Sequence, residues 1–119
     1  MRYYTHKDYP TLLSWYEGHG EPCPREAALS LLGLIDENCA AFLYLTSSSL
    51  CFIENLVTNP FVPKELREES MTKMIDELVL KAKGKTIVCF TDILGVAKRA
   101  KKHGFKIHQD RYFLVSKEA

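Results

Sequence analysis

Leu50-Cys51-Phe52-Ile53-Glu54-Asn55-Leu56-Val57-Thr58, a break at Asn59-Pro60-Phe61-Val62-Pro63, a charged run to Lys85, and Thr86-Ile87-Val88-Cys89-Phe90-Thr91 together decide the fold. The first nine residues are mostly apolar and lack Gly and Pro, which reads as a strand. In the charged run, Met71, Met74, Ile75, Leu78, Val79 and Ala82 recur at helical spacing. Its start is acidic (Glu65, Glu68, Glu69) and its end is basic (Lys81, Lys83, Lys85), as a helix dipole favours. Thr86–Thr91 is continuously apolar, so it is expected to be a central strand buried on both faces. Two strands joined by a long helix predict a parallel pair with a right-handed crossover.

Upstream, Leu32–Asp36, Cys39–Thr46 and Leu50–Thr58 are separated by the short turns Glu37-Asn38 and Ser47-Ser48-Ser49, which predicts an antiparallel meander. Tyr3-Tyr4 is a short opening strand. Asp8 is the expected N-cap of a helix that presents Leu12, Leu13 and Tyr16 on one face and stops at Gly18 and Gly20. Pro24 opens a short helix through Ala27, Ala28 and Leu31. Asp92 caps a helix through Val96, Ala97 and Ala100 that Gly104 ends, and Lys106–His108 and Tyr112–Ser116 close the chain as strands. The expectation is a single α+β domain over 1–119: a mixed, mostly antiparallel twisted sheet with helices on both faces.

A chain of 119 residues buries roughly two-thirds of its unfolded surface in one core. No apolar run reaches the ~18 residues that span a bilayer, and no apolar run follows Arg2 as a secretory signal requires. The expected location is cytoplasmic, with no membrane partner. Cys23, Cys39, Cys51 and Cys89 form no C-x-x-C pair, and His6, His19, His103 and His108 complete no zinc spacing, so metal ligation is not expected. Residues 1–60 hold three basic against seven acidic side chains, and residues 61–119 hold thirteen against eight. The sharpest basic cluster is Lys98, Arg99, Lys101, Lys102 and Lys106, either a solvated helix face or a site for phosphate on a cofactor or nucleic acid.

In an open sheet a ligand sits where strand direction changes, beyond the carboxyl ends of parallel strands. That place is the segment Val57–Ser70 before the long helix, where exposed N–H groups favour an anion.

Ile53 through Pro60, then Arg67-Glu68-Glu69-Ser70-Met71-Thr72, a helix, a buried strand and Lys102-His103-Gly104-Phe105-Lys106 resemble the GNAT superfamily of acyl-CoA-dependent N-acyltransferases. More narrowly, the chain resembles the small acetyltransferase-like proteins of tailed phages, with Trp15 and Leu43-Tyr44-Leu45-Thr46 part of the likeness. The resemblance implies a GNAT-like fold, acetyl-CoA as co-substrate, and acetyl transfer to an amine on a small molecule, a protein or a modified nucleobase, in a host cytoplasm if phage-encoded. Leu56, Val57 and Thr58 would offer backbone groups to the pantetheine arm. Arg67, Glu68, Glu69, Ser70, Met71 and Thr72 would form the turn that cradles the pyrophosphate, with Ser70 and Thr72 where the family has glycines. A turn would then separate Pro63 from a helix beginning near Glu68. The family's fourth-helix Asn and Tyr fall at Ile93 and Ala100, so its usual general acid is absent.

Acyl transfer needs a neutral amine, and a lysine of pKa ~10.4 is only about one part in a thousand neutral near pH 7.4. Glu54 is the candidate base, since it interrupts an apolar strand and, as strand residues alternate faces, shares a face with the apolar Phe52 and Leu56. Tyr112 is the candidate replacement acid. His103 and His108 flank the Gly-Phe and are expected at the surface. Two other readings stand beside the enzyme: a catalytically degenerate domain of the same fold that binds, free or in a virion, and a nucleic-acid module using Lys98–Lys106.

Overall fold

The computed structural model describes residues 1–91, 94–108 and 116–118. Its centre is the meander of β2 (Gly33–Ile35), β3 (Cys39–Leu45) and β4 (Leu50–Thr58). β1 (Arg2–Tyr3) joins one side of it and β5 (Thr86–Val88) the other, giving the order β1-β2-β3-β4-β5. All pairings are antiparallel except β4 with β5, which is parallel as expected from the intervening helix α2 (Lys64–Lys81). Helices α1 (Tyr9–Gly18) and α3 (Leu94–Lys102) complete the α+β architecture, with short 3-10 turns at His6–Asp8 and Glu26–Ala28.

Side-chain alternation divides the apolar residues of the sheet between two cores. On one face Leu34, Cys39, Ala41, Leu43, Cys51 and Ile53 meet Met71, Met74, Leu78 and Ala82 of the α2 segment. On the other, Ile35, Ala40, Phe42 and Val57 meet Leu12, Trp15 and Tyr16 of α1. The helices therefore cover opposite faces. Leu13 points outward at 43% exposure; Trp15, not Leu13, completes the buried face of α1. Gly33 is needed where the sheet is tightest, since a Cβ there would stand 2.5 Å from the Phe42 ring.

Asp8 caps differently from expectation. It precedes α1, but its carboxylate accepts from the Thr5 N–H at 2.9 Å and from both Arg2 nitrogens at 2.6 and 2.8 Å. It thus ties β1 to the first turn, and the Arg2 guanidinium holds its carboxyl down at about 2. The short helix after Pro24 shrinks to one 3-10 turn, leaving Leu31 exposed.

Two expectations about the crossover are corrected. β5 pairs over three residues only, lies at the sheet edge among the described residues, and has Thr86 exposed with Ile87 and Val88 half-buried. Among the described residues its apolar run therefore lies at an edge, with side chains half-buried where burial on both faces was expected. Second, no turn separates Pro63 from a later helix start: α2 runs unbroken from Lys64, because residues 64–69 are all strong helix formers. No strand forms over Lys106–His108. Asp92, Ile93 and Tyr112 lie outside the described residues, as does all but Ser116 of the expected strand Tyr112–Ser116.

β4 carries the one irregularity that matters. Ala40 pairs with Val57 and Phe42 with Glu54, so β4 has one residue more than β3 between these rungs. This is a bulge, and Asn55 within it has φ +56°, a conformation Asn tolerates better than most residues. Its Nδ2 donates to the Tyr44 hydroxyl at 2.6 Å. Asn55→Val should cost about 1–3 kcal/mol through backbone strain, whereas Asn55→Gly loses only the side-chain bond. Denaturant midpoints should rank parent, Gly variant, Val variant; equal midpoints for Gly and Val would show that the left-handed residue is not held.

Candidate functional site

The bulge reassigns the faces of β4. Ile53 and Leu56 both pack against the α2 side, although an odd residue separation should oppose them; Val57 then joins the α1 side. Glu54 pairs across from Phe42, whose ring is in the α1 core. The expectation that Glu54 shares a face with Leu56 is therefore corrected: it shares one with Phe52, and Leu56 has crossed over.

Beyond Phe52, among the described residues, no strand pairs with the β5-facing edge of β4. Asn59 N–H donates back to Asn38 C=O at 2.8 Å, on the β3 side. Strand alternation then turns the main-chain groups of Thr58 and Leu56 toward the open edge. The Thr58 carbonyl there accepts from His19 Nε2 at 2.8 Å, which pins the end of α1 to the end of β4.

At this open edge lies a cleft of about 270 Å³. Ile53, Leu56, Val57, Met71, Ile75 and Val96 make most of its apolar wall, and His19, Glu21, Thr58, Cys89, Arg99 and His103 supply polar groups. The lining comes from both sheet faces, as expected of a gap between two parting strands. Beside it, Glu68, Thr72 and Asp76 of α2 face Arg99 and Lys102 of α3 and His103 across an open polar groove. Arg99 and His103 border both hollows.

The candidate residues distribute unevenly over this geometry. Leu56, Val57, Thr58 and Met71 meet in the cleft, and Glu68 and Thr72 meet in the groove. Arg67, Glu69 and Ser70 line neither. Ser70 Oγ accepts from Asn38 Nδ2 at 2.8 Å, and Glu69 pairs with Lys73 at 3.1 Å. Residues 67–72 are helical, so their N–H groups point along α2 toward carbonyls four residues earlier. The cradle implied for the pyrophosphate is not formed there.

Glu54 lies where the strands part, outside the lining. Its Oε1 accepts from the Phe90 N–H at 2.9 Å, replacing the ladder bond that ends at Val88, and Phe90 stacks on Phe52 at 6.2 Å. Burial raises its carboxyl above the ordinary value, with the Phe90 N–H pulling the other way. Cys89 is next to it; burial first, then the Glu54 charge, pushes that thiol up to about 11, so it is no nucleophile near neutrality. All four cysteines are free.

His103 is the residue that the sequence reading misplaced. Its side chain is 10% exposed rather than on the surface, and Nδ1 stands 2.9 Å from Asp76 Oδ1. The only signal in sequence was its position just before Gly104. The basic cluster is partly neutralised from α2, with Arg99 at 3.2 Å from Glu68; Lys98, Lys101, Lys102 and Lys106 are exposed. Among the described residues no group of His, Cys, Asp and Glu is placed to hold a metal ion, and no helix is long and apolar enough to cross a membrane. Comparison with protein-family models, with curated proteins and with solved structures found no match to this chain.

A raised carboxyl pKa contributes stability that is full below the ordinary value and is lost as pH rises through the raised one. Glu54→Gln removes the charge yet keeps an acceptor oxygen for Phe90. Its melting temperature should match the parent below about pH 4 and exceed it at pH 7. A lower value at pH 7 would mean that the carboxylate charge itself holds the strand end.

Proposed function

We propose that the chain is a GNAT-like N-acetyltransferase whose cleft takes the acylated arm of acetyl-CoA. The observation that carries this reading is the bulge-parted edge of β4 over an apolar cleft. A volume of about 270 Å³ is just below the ~300–1,000 Å³ of sites that enclose a whole ligand, so it suits a thin chain and not a nucleotide. Leu56 and Thr58 turn backbone groups toward it, and an N–H there would stabilise the oxyanion that forms when an amine attacks the thioester carbonyl. Apolar walls strengthen that interaction by excluding water.

The phosphates would then lie in the groove beside the cleft, where Lys102 and Arg99 face them, and not on residues 67–72. Glu68 and Asp76 oppose an anion in the same groove, so binding should weaken steeply with salt. The acceptor amine would reach the thioester from the His19 and Glu21 end, with Glu21 favouring a cation.

The unbroken start of α2 favours a second reading, a domain of the same fold that binds without transferring. A nucleic-acid role for Lys98–Lys106 has less support, since Arg99 is already paired. A thermal-shift titration separates the first two from neither: acetyl-CoA at 100 times its Kd should add about 2.7 kcal/mol to stability, a rise of several degrees. Arg99→Ala with Lys102→Ala should weaken the effect at least tenfold in concentration. No shift at millimolar acetyl-CoA would refute the acetyl-CoA site.

A further inference from the structure

Where the cleft meets the polar groove, His103 lines both hollows and is paired with Asp76, which lines the groove alone. His103 follows α3, is nearly buried, and places Nδ1 2.9 Å from the Asp76 carboxylate on α2. A carboxylate only accepts, so Nδ1 carries a hydrogen; in the neutral ring that leaves the lone pair on Nε2. The ring borders both cleft and groove. Other charged groups around the two hollows are Glu68 from α2, Arg99 and Lys102 from α3, and His19 and Glu21 from the segment ending α1. Glu68 and Arg99 are paired with each other, leaving Asp76 as the partner of His103. Glu54 does not compete, because its Oε1 already holds the Phe90 N–H and it is outside the lining.

We propose that His103 is the general base of the acyl transfer, with Asp76 as its positioning residue. This rests on the acetyltransferase reading. His103 Nε2 takes a proton from the acceptor ammonium, and Asp76 stabilises the imidazolium. The neutral amine attacks the thioester carbonyl and the C–N bond forms. As the C–S bond breaks, the nitrogen sheds its second proton to the departing thiolate, giving amide and coenzyme A thiol. The imidazolium returns the first proton to solvent.

The test follows coenzyme A release from acetyl-CoA with spermidine, poly-L-lysine or water alone as acceptor, beside nitrogen-15 NMR of the histidine rings. His103→Gln should lower turnover by roughly 10²-fold or more while acetyl-CoA affinity holds. Asp76→Asn should lower kcat less than His103→Gln does, and lower KM for acetyl-CoA, because a carboxylate that opposes its phosphates is gone. A purely structural role would not split kcat from KM in this way. In the unsubstituted chain, His103 should show the Nδ1–H tautomer, and its Nε2 resonance should move with acetyl-CoA while those of His6 and His108 stay. Parent-level turnover in His103→Gln, or an Nε2 resonance that acetyl-CoA leaves unmoved, overturns this proposal alone. A parent chain that does not bind acetyl-CoA, or binds it and releases no coenzyme A, overturns both readings.

Discussion

The left-handed residue Asn55 is the constraint on which the arrangement around β4 depends. One extra residue opposite Ala41 shifts side-chain parity along the last third of β4. Leu56 thereby joins the core under α2, and Val57 joins the core under α1. Without that shift Leu56 would face α1 and Val57 would face α2. The Asn55 amide bond to Tyr44 holds the bulge from the neighbouring strand, so the irregularity is built from two strands at once.

Parting of β4 from β5 follows from the same region. Their ladder lasts three rungs, and Glu54 then supplies a side-chain acceptor to the Phe90 N–H in place of a main-chain carbonyl. Among the described residues no strand takes over that edge of β4 beyond Phe52. An open strand edge under an apolar cover is costly unless something meets its polar groups; His19 meets one of them, the Thr58 carbonyl.

Much of this was legible in the residues. The meander boundaries followed from turn chemistry at Glu37-Asn38 and Ser47-Ser48-Ser49, and β4 has the predicted bounds Leu50–Thr58. Helical spacing identified Met71, Met74 and Leu78 as core, and the parallel partner of β4 followed from the helix between them. Of the site, Leu56, Val57, Thr58 and Met71 were named and meet in the cleft. The pyrophosphate turn was named from resemblance, and local propensity overrode it: six consecutive good helix formers leave no reason for a turn between Pro63 and Glu69.

Sequence by itself determined the α+β class, the antiparallel meander, the helical crossover and the identity of most core residues. These depend on periodicity and turn chemistry, which act over a few neighbouring residues. Tertiary structure alone decided the bulge, because an extra residue in a strand is defined only against its partner. It also decided that Glu54 accepts from the Phe90 N–H where the strands part, and that Ile87 and Val88 are half-buried with Thr86 exposed. His103 and Asp76 are 27 residues apart in the chain, on segments whose relative placement no local pattern encodes, and only the packing of α3 against α2 brings the imidazole to the carboxylate.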